Sequence, residues 1–183
     1  IRDRGKVRQI GLSNETPWGT MKYLELAETK SLPRVASIQN AYNLVNRGFE
    51  IGLSEVAMHE QVGLLAYSPL AQGTLTGKYL GGQMPQGSRL ALFGDGPLMM
   101  RYKGDKTQQA IEMYVNLAKK YEIDPAQLAI QFCNIQPFVT STIIGATTME
   151  QLKTCIDSVD LDITKEIINE IRSIHKEIPN PAP

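Results

Sequence analysis

The sequence predicts an α/β protein with a parallel sheet. Two observations carry this: short apolar runs alternate with amphipathic helical stretches, and the apolar runs start at Val7, Val35 and Gly63, 28 residues apart each time. That interval holds a strand, a loop, a helix and a return loop, the unit that builds parallel sheets with right-handed crossovers. Composition agrees. The 183 residues are 42% hydrophobic and 21% charged, which is globular, and one domain over 1–183 is expected.

Val7 to Leu12 reads as the first strand. Thr16 then supplies a helix cap and Pro17 a first-turn proline, so a helix follows over Trp18 to Lys30, with Met21, Leu24 and Ala27 at helical spacing. Arg34 to Gln39 is the second strand, Phe49 to Gln61 a second helix with Ile51 and Val56 toward a core, and Gly63 to Ser68 the third strand. From Pro69 to Gly104 glycines and prolines crowd the chain and the periodicity ends. A segment of that length without structure is expected to be a binding loop or lid. Helix resumes over Lys106 to Glu122, and Asp124-Pro125 opens another through Gln136. Ser141 to Ile144 is the fourth strand. Thr147 and Glu150 are spaced as a capping box for a helix over Met149 to Asp157, and a last helix carries Ile167, Ile168, Ile171 and Ile174 and stops before Pro179. The closing Pro-Asn-Pro-Ala-Pro reads as tail. The opening Ile1 to Lys6 has no initiator Met and looks like the end of a helix, the expectation for a chain cut from a larger fold.

Several function classes are disfavoured. Nineteen Lys plus Arg balance nineteen Asp plus Glu, so no basic face is expected to meet nucleic acid. No apolar run is long enough to cross a bilayer and no signal peptide opens the chain, so a cytoplasmic location is expected. Cys133 and Cys155 are too few and too far apart for a disulfide framework or a zinc site; both are expected to be reduced and structural.

In parallel α/β folds ligands bind beyond the carboxyl ends of the strands. Here those ends are Ser13-Asn14, Gln39-Asn40, Tyr67-Ser68 and Gly145-Ala146-Thr147: amides, hydroxyls, a phenol and a glycine, with no carboxylate or thiol. Amides and hydroxyls suit a neutral hydrogen-bonding group such as a carboxamide, and a tyrosine can stack on a planar ring. Glycine ahead of a helix start suits a phosphate. The pattern fits a cradle for a dinucleotide, against the plainer reading of ordinary turn formers.

Four segments, Gly5-Lys6-Val7-Arg8-Gln9-Ile10-Gly11-Leu12-Ser13-Asn14, Ile38-Gln39-Asn40-Ala41-Tyr42-Asn43, Ala66 to Tyr79 and Ile143-Ile144-Gly145-Ala146-Thr147, resemble in order and spacing the second half of an aldo-keto reductase. The bacterial Tas-like branch shares Gly145 to Met149 and the Pro-Ala-Pro ending. The resemblance implies strands five to eight of a (β/α)8 barrel, NADP(H) as cofactor, a small-molecule carbonyl substrate, and the N-terminal half of the barrel as partner. It implies that Ser13, Asn14 and Gln39 hold the nicotinamide carboxamide and that Tyr67 stacks under the ring. It further implies that Ser68, Leu70 and Gly73 line the pyrophosphate, with Lys78 and Arg89 reaching over it from the 69–104 loop. Gly145, Thr147 and Gln151 would surround the adenosine 2′-phosphate. Thr154 and Cys155 stand where the family often has Glu and Asn, which implies two adenine contacts fewer. The family's Asp, Tyr, Lys and His tetrad belongs to the first half of the barrel, so none of these 183 residues is nominated as catalytic. His59 and His175 both fall on polar helix faces, where solvated histidine is expected. Trp18 is read as rim cover, Met99-Met100 as gap filler or substrate contact, and Lys119 to Glu122 as a solvated helix end. Two other readings of the same residues are a non-catalytic dinucleotide-binding half barrel and a flavodoxin-like protein in which Gly145 binds an unrelated phosphate.

Overall fold

The computed structural model describes residues 5–94 and 96–183. The reading of Ile1 to Arg4 as a helix end therefore lies outside the described residues. Four parallel strands stand in the order β1-β2-β3-β4: β1 (Ile10–Ser13), β2 (Val35–Ala41), β3 (Gly63–Tyr67) and β4 (Val139–Thr142). Sequential neighbours in a parallel sheet are what the repeated strand-helix unit predicts.

The helices are α1 (Pro17–Thr29), α2 (Leu53–Glu60), α3 (Arg89–Phe93), α4 (Pro97–Met100), α5 (Asp105–Lys120), α6 (Pro125–Asn134), α7 (Met149–Asp157) and α8 (Lys165–Glu177). Thr16 caps α1 by accepting from Gly19 N, and Asp124 caps α6 by accepting from Ala126 N at 2.7 Å, each followed by its proline. Ile38, Leu64 and Ala66 bury one face of the sheet with Ile111, Val115 and Leu128 of α5 and α6, and with Ile171 of α8. Along β3 the alternate residues Gly63, Leu65 and Tyr67 stay half-exposed, and Ser13 and Ser141 on the flanking strands are exposed.

Structure shifts several sequence expectations. β1 begins at Ile10 rather than Val7, because pairing with β2 starts at Ile10 opposite Val35. The helix expected over 49–61 is split: Gly52, at φ +86°, breaks it into a 3-10 turn at Gly48–Glu50 and α2, and turns Ile51 out to 76% exposure instead of into the core. β4 lies two residues earlier than read, with Val139 opposite Leu64, although Ile143 N still bonds Ala66 O at 2.8 Å. The 69–104 segment is not structureless. It holds 3-10 turns, α3 and α4, and it buries Met99 and Tyr102 while Met100 stays exposed.

The polar cap of the core is a cluster that sequence reading missed. Glu50 accepts from the Tyr42 hydroxyl at 2.6 Å and from Arg47 Nε and Nη2 at 2.6 and 2.8 Å, and the Arg47 guanidinium lies 5.3 Å from the Phe132 ring centroid. His175 of α8 faces Arg47 and Glu50 with Nδ1 buried and without a hydrogen-bond partner among the described residues, so it is not on a solvated face. The closing prolines are not a loose tail either. Arg47 N donates to Asn180 Oδ1 at 2.8 Å, Ala182 N to Val45 O at 3.0 Å, and Thr107 Oγ1 to Pro181 O at 2.8 Å. The end of α5 is solvated as expected, with Lys119, Lys120 and Glu122 exposed, and Lys120 and Tyr121 both donate to Glu170 of α8 across that surface.

Candidate functional site

At the end of β1 the backbone turns left-handed at Asn14 (φ +53°), a conformation asparagine tolerates through local hydrogen bonds. Asn14 N donates to Gln39 O at 2.9 Å and its Nδ2 to Ser13 Oγ at 3.1 Å. Register puts Ser13 opposite Gln39 and Ala41 opposite Tyr67, and the Tyr67 hydroxyl donates to Asn14 Oδ1 at 3.0 Å. Three adjacent strand ends thus present a hydroxyl, two amides and a half-exposed ring in one place.

After β3 the chain enters a strained turn. Ser68, Ala71, Gln72 and Gly73 all have positive φ (54°, 49°, 60° and 93°), three of them non-glycine, where steric cost is on the order of 1 kcal/mol or more each. Strain of this kind collects where a site over-determines the backbone. Ser68 Oγ accepts from Gln72 Nε2 at 2.9 Å, and Leu70 O accepts Gly73 N at 2.8 Å. The Leu70 side chain packs on the core, which leaves its backbone to line the turn. Gly73 serves close approach: a Cβ there would stand 3.0 Å from Lys78 Cε and Nζ, so its absence lets the ammonium lie against the turn. Arg89 opens α3 and is exposed; the next residue, Leu90, donates its N–H to the Tyr79 hydroxyl at 3.4 Å, which brings the Arg89 segment beside Lys78-Tyr79.

Beyond β4, Gly145 is exposed, with no atom within 4 Å of the place a Cβ would take, and Thr147 and Gln151 are exposed at the start of α7. The cap differs from expectation: Thr148, not Thr147, accepts Gln151 N at 3.2 Å, and Glu150 has no part in it. The reason is geometric, because Thr148 has the extended backbone of a cap residue and Gln151, not Glu150, is three positions on. Gln151 Oε1 accepts from both Thr147 N and Thr147 Oγ1, at 3.0 and 3.1 Å. Two of the three residues nominated for the 2′-phosphate therefore meet, but bond each other. Cys155 is buried and Thr154 half-buried, its carbonyl accepting from Gln127. Cys133 is fully buried, and burial pushes its thiol well above the ordinary range, as befits a packing residue. Trp18, in the first turn of α1, is 74% exposed.

Two residues that the sequence analysis does not nominate stand beside these groups. Asn43 donates from Nδ2 to Ser68 O at 2.9 Å, and Tyr102, buried from the 69–104 segment, stands within electrostatic reach of Asn43 and Tyr67. The available signal was Asn43's place four residues past Gln39, in an amide-rich strand end.

The model of the aldo/keto reductase family matches residues 1–176. Protein tas of Escherichia coli K12 is 51% identical over 179 residues, spanning 98% of this chain and 51% of that protein. An aldo-keto reductase of Babesia bovis is 40% identical over 179 residues (94% of this chain, 62% of that protein), and the L-glyceraldehyde 3-phosphate reductase of E. coli K12 is 33% identical over 159 (85% and 45%). The chain spans about half the length of these relatives. No helix among the described residues is long and apolar enough to cross a membrane. With its parallel four-stranded sheet and a family match over nearly its whole length, the chain belongs to the aldo/keto reductase family.

Proposed function

We propose that this chain is the cofactor-binding half of an NADP(H)-dependent oxidoreductase that reduces aldehydes or ketones to alcohols. The observation that carries the reading is the convergence of Ser13-Asn14, Gln39 and Tyr67, locked by the 3.0 Å Tyr67–Asn14 bond. The strands stand as the fifth to eighth of a (β/α)8 barrel, whose N-terminal half is the partner that covers the open sheet face. Proton donation belongs to residues outside these 183.

The residues fit the group. Ser13, Asn14 and Gln39 offer hydroxyl and amide donors and acceptors matched to a carboxamide, and Tyr67 holds a planar ring on one side so that only the other is open to substrate. The Ser68–Gly73 turn with Lys78 against it, and Arg89 alongside, receives an anionic pyrophosphate. When bound, the nicotinamide supplies the hydride; the chain's own part is to orient the ring and exclude alternatives of geometry.

At α7 the first-turn N–H groups and the helix dipole favour a 2′-phosphate, and no Asp or Glu at Ala146 to Thr148 favours a free ribose hydroxyl. The Thr147–Gln151 bonds must open for both side chains to donate, which makes Gln151 the residue that tunes the preference. Fluorescence titration of the protein carrying this chain should give NADPH over NADH by about tenfold to a hundredfold, roughly 1.4 to 2.7 kcal/mol. The gap should narrow at high salt and shrink in Gln151→Ala. Equal affinities, or a preference for NADH, would remove the 2′-phosphate from this helix.

A further inference from the structure

Asn43 is fully buried, a position an amide keeps only when both its ends are partnered. They serve different purposes. Oδ1 accepts Val45 N at 3.0 Å and Asn46 N at 2.9 Å, and the Asn43 backbone pairs with Asn46 at 3.0 and 3.1 Å, closing a tight turn after β2. Nδ2 leaves that turn and donates to Ser68 O at 2.9 Å, a carbonyl that also accepts Ala71 N at 2.9 Å. Ser68 thus begins the left-handed run of Ala71, Gln72 and Gly73 under restraint from another strand end. Such a run is not held by local preference and needs an outside anchor.

The outer side of the same turn is gripped by the C-terminus. Ala182, at 1% exposure, donates to Val45 O; Asn180 accepts Arg47 N; and Thr107 holds Pro181 to α5. The connection runs in series: strap, turn, Asn43, Ser68.

We propose that Asn43 is a positioning residue for the Ser68–Gly73 turn and that the strap Asn180–Ala182 is the buttress that keeps Asn43 in place, so that nucleotide affinity depends on a segment not itself nominated to touch nucleotide. The nucleotide part rests on the cofactor reading above. Asn43→Asp keeps the acceptors for Val45 and Asn46 and replaces the donor to Ser68 with a buried carboxyl oxygen that repels that carbonyl. Truncation after Pro179 removes the buttress and serves as the variant that carries no such added charge.

Both variants, and their combination, are made in the protein carrying this chain. Amide hydrogen exchange of residues 68–77 is read without nucleotide, and NADPH is then titrated by fluorescence. Expected are exchange at least tenfold faster over 68–77 in each single variant and a tenfold to hundredfold weaker Kd. The combination should be no weaker than Asn43→Asp alone, as for elements in series. The truncated protein should show a raised KM for NADPH with kcat retained. Native exchange over 68–77 in the truncated protein overturns the proposal, also where Asn43→Asp does not fold; additive losses in the combination overturn the series arrangement. Wild-type protein that exchanges as expected but binds no NADPH sinks the cofactor reading and leaves the Asn43 coupling standing.

Discussion

Glu50 and His175 show how single residues set the acid limit of this protein. Burial works against the Glu50 charge, but hydrogen bonds from Arg47 and Tyr42 outweigh it and hold the carboxyl below its ordinary 4.5. Burial, then the Arg47 charge, holds the His175 imidazole below its ordinary 6.5. The signs agree. An unfolded chain takes up a proton on His175 that the native state resists, so stability falls as pH drops through about 6.5; the Glu50 contribution, present above 4.5, is lost at still lower pH as the carboxyl passes its lowered native value. In the protein carrying this chain, the contribution of these two groups to melting temperature should therefore be flat above about pH 7 and decline in two stages. His175→Gln should abolish the upper stage and leave the lower one, as thermal melts between pH 4 and 8 on variant and wild type will show; an unchanged upper stage would detach His175 from it.

Among the elements, the pairing of β3 with β4 leaves the least room. A Cβ on Gly63 would stand 1.8 Å from Thr140 Oγ1 and 3.1 Å from Thr140 Cβ, so only glycine allows the two strands their spacing. Gly63→Ala should cost about 1–3 kcal/mol through overpacking, read as a lower urea midpoint of the protein carrying this chain. Adding Thr140→Ala removes the worst contact and should recover most of that loss; equal midpoints for the single and double variants would show that the clash is relieved elsewhere. The same scale explains why the strand-end groups meet at all. Tyr67 reaches Asn14 only because β2 stands between β1 and β3 in register.

At the scale of the molecule, one sheet face is packed by helices and the other is left half-covered, with Leu65, Tyr67 and Ile143 in partial contact with water. Parallel sheets are ordinarily covered on both faces, and among the described residues β1 and β4 each have a neighbour on one side only. The 183-residue chain by itself should associate or melt without cooperativity, and it should show no NADPH-dependent reduction of aromatic aldehydes or quinones. Sedimentation of a compact, cooperatively melting monomer would contradict the first expectation, and turnover by that preparation the second.

What the sequence by itself determined is local. The 28-residue recurrence placed three strands, Thr16-Pro17 and Asp124-Pro125 placed two helix starts, and the character of the residues at strand ends marked the candidate site, because apolar periodicity, capping and turn chemistry act within a few residues. Tertiary structure decided the rest. Asn180 bonds Arg47 across 133 positions, Glu170 bonds Tyr121 across 49, and Asn43 bonds Ser68 across 25. Asn180 reads as tail and Tyr121 as helix end in sequence, since a long-range polar pair declares itself only through the partner that folding brings to it. Ile51 erred in the opposite direction: its apolar side chain promised a core position, and the left-handed Gly52 turned it to solvent.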